Sequence, residues 1–273
     1  MKDFDFIDLH YHANPDLYIR QHNIDEAVAE YKKLKGLVLL QNHLGYAGNS
    51  NSLKSFILNY AAGGINYKNI EKTLHLHNKD KLGKLLVLFP TITGRKHRSK
   101  LKRNLSEEKL LKTAFTPKTV SENGKLLQKT KDVLGFAKNN QIVLATGHAS
   151  KEEVYLLAEE AYKIGLDKLL ITQASNPMTG ILGEEMLQLS KSFDFLWFEQ
   201  TSLTILLQYE SFENFEFVAK NIEKLIYSSD LGQDSQIGIK EWLELSKSWF
   251  AKMNLSDERI KNITYINPLT FIT

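Results

Sequence analysis

At 273 residues, with 42% hydrophobic and 25% charged residues, the chain has a globular composition and the length of one large domain. Its net charge of +3 is too mild to argue for nucleic acid as a partner, and the lack of cysteine excludes disulfides and thiolate metal sites, so any metal must be held by nitrogen and oxygen. The opening MKDFDFIDLH is acidic and is not expected to be a signal peptide, and the most apolar stretch, FLWFEQTSLTILL, is broken by Glu199 and too short for a bilayer, so a cytoplasmic, membrane-independent protein is the expectation.

The first predicted strand is FDFIDLHYH, residues 4–12. A helical stripe follows in Ile24, Ala27, Val28, Tyr31 and Leu34. GLVLLQNH (36–43) and SFILN (55–59) read as the second and third strands, and residues 67–78 as a helix. KLLVLFPT (84–91) is the fourth strand. It leads into a long irregular stretch, 93–120, that carries the basic run GRKHRSKLKR; a loop of that length is usually functional or mobile. A helix over 121–139 precedes the fifth strand, QIVLATGH (141–148). Ser150, with Glu153 three residues on, makes a capping box for the next helix. KLLITQ (168–173), FLWFEQT (195–201) and KLIYSSD (224–230) are the last three strands, with helices at 180–192, 212–222, 238–250 and 256–271. Alternating strands and helices imply a parallel sheet. Eight such units predict an α/β fold of the (β/α)8 TIM-barrel class, with residues 1–273 as a single domain and the basic loop as its main insertion.

Polar side chains gather at the C-terminal ends of these strands: His10 and His12 on the first, His43 on the second, His148 on the fifth, Gln173 on the sixth, Glu199 on the seventh and Asp230 on the eighth. In a barrel those ends converge on one mouth, where active sites of this fold lie. Residues two apart on a strand point to the same side, with Cα atoms roughly 6.5–7 Å apart. Two imidazoles so placed reach one ion at about 2.0–2.1 Å each. His148 and Asp230 then complete a three-histidine, one-aspartate set. Strict alternation puts Asp8 on the same face one layer deeper, either as a buried anchor or as an orienting partner for a histidine.

These residues resemble the amidohydrolase superfamily of metal-dependent hydrolases. A narrower likeness runs through DLHYHANPD, GGINYKNIEKTL, FPT, TGHASKEE, YSSDLGQ and NPLTFI, which are similar to an uncharacterised amidohydrolase-like family. The resemblance implies metal ligands at His10, His12, His148 and Asp230, with Asp230 also accepting the proton of a metal-activated water. Two departures stand out. Gln173 occupies the place of the usual sixth-strand histidine, where its amide can ligate as a weaker, neutral donor or hydrogen-bond instead, and LVLFPTIT carries neither the lysine nor the glutamate of binuclear members. One divalent ion is therefore expected, zinc before manganese, iron or nickel. His43 and Glu199 are left for a second, weaker ion or for substrate.

The reaction implied is hydrolysis of an amide, ester or lactone in a small-molecule substrate. Arg20, and His97 within the basic loop, are candidates for meeting a carboxylate or phosphate on it, with a solvated loop as the alternative. A phosphoesterase with two or more metals and a non-catalytic anion-binding relic are the rival readings. The sequence leaves self-association as a homo-oligomer open.

Overall fold

The computed structural model describes residues 4–78, 82–94, 103–107, 109, 114–140 and 142–273. Eight strands, β1 (Phe6–His12), β2 (Gly36–Gln41), β3 (Leu53–Ile57), β4 (Leu85–Leu88), β5 (Ile142–Ala145), β6 (Leu169–Ile171), β7 (Leu196–Thr201) and β8 (Leu225–Ser228), pair in chain order, each parallel to the next. They form a nearly closed TIM barrel. The seam between β8 and β1 is joined beyond the end of β8, where Asp230 N donates to His10 O (2.8 Å) and His12 N donates to Leu231 O (2.9 Å).

Both faces of the strands are covered, which is why they read as near-continuous apolar runs. Ile7, Leu9, Leu39, Ile57, Leu88 and Ile226 belong to the inner cluster. A larger outer cluster lies between strands and helices, where Val154, Leu157, Ala158 and Ala161 face the sheet. Each such Leu, Ile or Val contributes roughly 1.5–3 kcal/mol when fully buried. Phe271 and Ile272, in the last helix (Asn267–Ile272), join the inner cluster, and the Phe271 ring packs tilted against Trp197, with centroids 5.6 Å apart. Lys84 N donates to Ile272 O (2.8 Å), so the C-terminus lies across the start of β4 and plugs the end opposite the mouth.

The Ser150–Glu153 capping box is present, and Asn23 with Glu26 makes a second one for the helix Ile24–Lys33. Two predicted helices differ. The one expected over 121–139 begins at Gln128; before it Ser121–Glu122 pairs antiparallel with Lys125–Leu126 around Asn123-Gly124, both at positive φ (48° and 73°), a sequence that favours a tight hairpin. The helix expected over 256–271 breaks into Asp257–Lys261, a π-turn Asn262–Ile266 and Asn267–Ile272, because Pro268 has no amide to continue the ladder. Among the described residues, no helix is long and apolar enough to cross a membrane.

Candidate metal centre

The site begins with an irregularity in β1. Asp8 pairs with Val38 and Tyr11 with Leu40, so three steps on β1 oppose two on β2. This extra residue is a β-bulge, and it breaks the alternation of faces. Ile7 and Leu9 point into the barrel, Tyr11 points out to the helices, and His10 and His12 both line the mouth. The expectation that Asp8 shares their face is therefore wrong. Its carboxylate accepts from Tyr31 of the first helix, from Ser229 N (3.0 Å) and from His10 N (3.0 Å). Asp8 thus serves as a buried anchor that holds the bulge against β8.

Past the bulge, two imidazoles converge on one carboxylate. His10 Nε2 lies 3.3 Å and His12 Nε2 3.6 Å from Asp230 Oδ1. Those separations exceed the roughly 2.7–2.9 Å of a charge-assisted hydrogen bond. They match the roughly 3.4 Å between two atoms that each sit about 2.0–2.1 Å from a tetrahedral ion. Glu199 stands behind His10, its carboxylate oxygens 3.2 Å from His10 Nδ1. Such a partner fixes which ring nitrogen faces the centre. Glu199 also accepts from Gln173 N (3.2 Å), and its carboxylate sits on the far side of His10 from Asp230. Gln173 turns its amide nitrogen onto Asp230 Oδ2. Its side chain therefore acts on the centre through the aspartate.

The backbone is strained where it delivers these groups. Asp230 (φ 55°) and Gln173 (φ 46°) both adopt the left-handed region, at a cost of about 1–2 kcal/mol each for residues other than glycine. Close packing explains the neighbouring Gly232: a Cβ there would stand 2.0 Å from His12 O.

Electrostatics separate the histidines. Burial alone would lower the His10 imidazole, but the Glu199 and Asp230 carboxylates overturn that and lift it to about 9. Burial, with Arg20 and His43 adding to it, drives His12 well below its ordinary value. His148 is pushed down to about 3 by burial and by His43. His12 and His148 are thus neutral near pH 7, the form in which an imidazole ligates a metal. Burial raises the Asp230 carboxyl to about 6, against the pull of His10. The donor set fits a divalent ion: ring nitrogens of His10 and His12 and a carboxylate oxygen of Asp230 lie within 4.8 Å of one another.

A cavity of about 450 Å³ opens above the centre, lined among others by His10, His12, His43, His148, Gln173 and Asp230. Of the predicted ligands, His148 lines this cavity, but its nitrogens are not among the groups that lie within 4.8 Å of one another. His12, Asp16 and His43 form a second group with ligand spacing. Asp16 escaped the sequence reading, although it falls in NPD only four residues past His12 and is 1% exposed. Arg20 and Arg103 also line the cavity, and Arg20 is bound to Asp16. His97 and most of the basic run lie outside the described residues. The described part of that loop returns to the first βα segment, where Leu105 pairs with Tyr18 and Ser106 N donates to Leu17 O (3.1 Å).

Fold and site together define a TIM barrel whose mouth carries a candidate metal centre. The chain belongs to a family of unknown function (DUF6282), whose model matches residues 5–199. No curated protein matches it. Among solved structures it is similar to an uncharacterised TIM-barrel protein, Bb4693, from Bordetella bronchiseptica, with 9% identity, 97% of each chain covered and a TM-score of 0.60. It is also similar to an amidohydrolase from Burkholderia multivorans solved with bound zinc (8% identity, 98% of each chain, TM-score 0.52). A third similar structure is described as an amidohydrolase II (12% identity, 98% of this chain and 99% of the other, TM-score 0.52). At such identities the likeness is one of fold.

Proposed function

We propose that this chain is a metal-dependent hydrolase that holds one divalent ion, zinc in the first instance, with His10, His12 and Asp230, and His148 facing it across the cavity. The substrate class is a small anionic molecule with an amide, ester or lactone bond. The observation that carries this reading is the spacing of His10 Nε2 and His12 Nε2 from Asp230 Oδ1, 3.3 and 3.6 Å, which suits shared ligation better than hydrogen bonding. The zinc in the Burkholderia multivorans amidohydrolase supports it at the level of fold.

When bound, such an ion supplies Lewis acidity toward a carbonyl oxygen and toward water. The chain's own residues supply the rest. Asp230, lifted to about 6, accepts a proton near neutral pH and returns it to the leaving group. Gln173 fixes the rotamer of Asp230, and Glu199 fixes the tautomer of His10. Arg20 and Arg103 make one wall of the cavity cationic, which favours an anionic substrate. A phosphoesterase with two or more ions would require the second group, His12, Asp16 and His43, to take an ion as well.

Elemental analysis of protein purified without chelators tests the reading. About one ion per chain is expected, with most of it lost in His10→Ala and in His12→Ala. Asp230→Asn should lose roughly 10²–10⁴-fold in rate on any ester, lactone or amide that the wild type cleaves. A metal-free wild type, or full metal content in both histidine variants, would rule the proposal out.

A further inference from the structure

The second group has the spacing of a metal site, and a guanidinium already bound to its carboxylate. Asp16 Oδ2 lies 3.0 Å from His43 Nδ1 and 3.7 Å from His12 Nδ1, and the side chains are nearly or fully buried. The same oxygen accepts from Arg20 Nε at 2.8 Å and from Arg20 Nη2. Arg20 Nη2 is also 3.3 Å from His43 Nδ1. The other Asp16 oxygen takes the amides of Leu17 and His43, both at 2.7 Å. A guanidinium thus sits among the three groups that would otherwise surround an ion.

We infer that Arg20 is a built-in cation that takes the place of a second metal between His12, Asp16 and His43, and so limits the centre to one ion. The inference rests on the proposed metal site at His10, His12 and Asp230. The chemistry of the guanidinium and its placement carry it. Guanidinium stays charged, so it fills the place of a cation without taking up or losing a proton. A divalent ion at the same carboxylate would stand within contact distance of that charge, in a buried site where repulsion is poorly screened.

Arg20 is also pinned. Its amide donates to Asn14 Oδ1 (3.2 Å), its carbonyl accepts from Asn14 Nδ2 (2.9 Å), and the next residue donates from Gln21 N to Gly232 O (2.8 Å). Its side chain is 0% exposed and bound to Asp16, also 0% exposed. His12 serves both groups, with Nε2 toward Asp230 and Nδ1 toward Asp16. Its Nδ1 is buried without a hydrogen-bond partner, as a nitrogen aimed into a cation site would be.

The test counts metal. Wild type, Arg20→Lys, Arg20→Met and Arg20→Met/His43→Ala are loaded with Zn2+, desalted and measured by elemental analysis, with circular dichroism to confirm folding. The expected contents are one ion for wild type and Arg20→Lys, two for Arg20→Met, and one again for the double variant. A single ion in Arg20→Met overturns the inference and leaves the proposed function standing. A metal-free wild type overturns both. Should Arg20→Met not fold, wild type alone decides: uptake of a second equivalent that His43→Ala abolishes shows that Arg20 does not exclude it, and a titration that stops at one supports the inference.

Discussion

Gln173 reaches the candidate centre through another side chain. Its position on the sixth strand invites comparison with a histidine, yet its amide nitrogen is spent on Asp230 Oδ2 while Asp230 Oδ1 faces the two imidazoles. A neutral amide donor there holds the carboxylate in one rotamer and keeps one oxygen for the ion. Partners of this kind are typically worth 10–100-fold in metal affinity. Gln173→Leu should therefore weaken Zn2+ binding by roughly that factor, read by competition with a zinc-sensitive dye. Unchanged affinity would mean that Asp230 needs no such support. Glu199 plays the matching part for His10, and its burial at 1% exposure leaves it no other role on the cavity side.

At the scale of elements, the β1 bulge and the β8 turn are one construction. The bulge brings His10 and His12 to the mouth together, and Asp8 ties it to Ser229 at the end of β8. Asp230 then enters the left-handed region and donates its amide to His10 O. The chain returns along β1 with Gly232 pressed against His12 O. Gly232, at φ 113°, allows both the conformation and the approach. Gly232→Ala should destabilise the fold by roughly 1–3 kcal/mol, seen in urea denaturation, and should also lower metal content because the Cβ pushes His12 away. Normal stability would show that the loop yields at little cost.

For the molecule as a whole, the barrel is closed at one end and open at the other. Phe271 and Ile272, both 0% exposed, seal the floor of the inner core, while the mouth is left to polar groups. The two ends are distant in the packing, so they should respond independently. Phe271→Ala should cost roughly 3–5 kcal/mol in stability, through lost burial and the cavity left beside Trp197. Its metal content at low temperature should match wild type. Loss of metal in a folded Phe271→Ala would mean that the floor supports the mouth.

Periodicity alone, through eight apolar runs separated by amphipathic stripes, pointed to the barrel, because burying both faces of a parallel sheet demands that pattern. His10, His12 and Asp230 were likewise legible, since strand C-termini must meet at the mouth. Tertiary structure decided what local pattern cannot carry. A bulge has no residue signature, so the parting of Asp8 from His10 was invisible in DLHYH. The hairpin at Asn123-Gly124 did have a signature, which the helical reading of 121–139 overrode. Asp16 and Arg20 lie four residues apart in a loop, and only the return of that loop along β1 and β8 buries them as a pair beside His12 and His43. The partnership of Glu199 with His10 spans 189 positions, a distance across which sequence carries no geometry until the barrel closes.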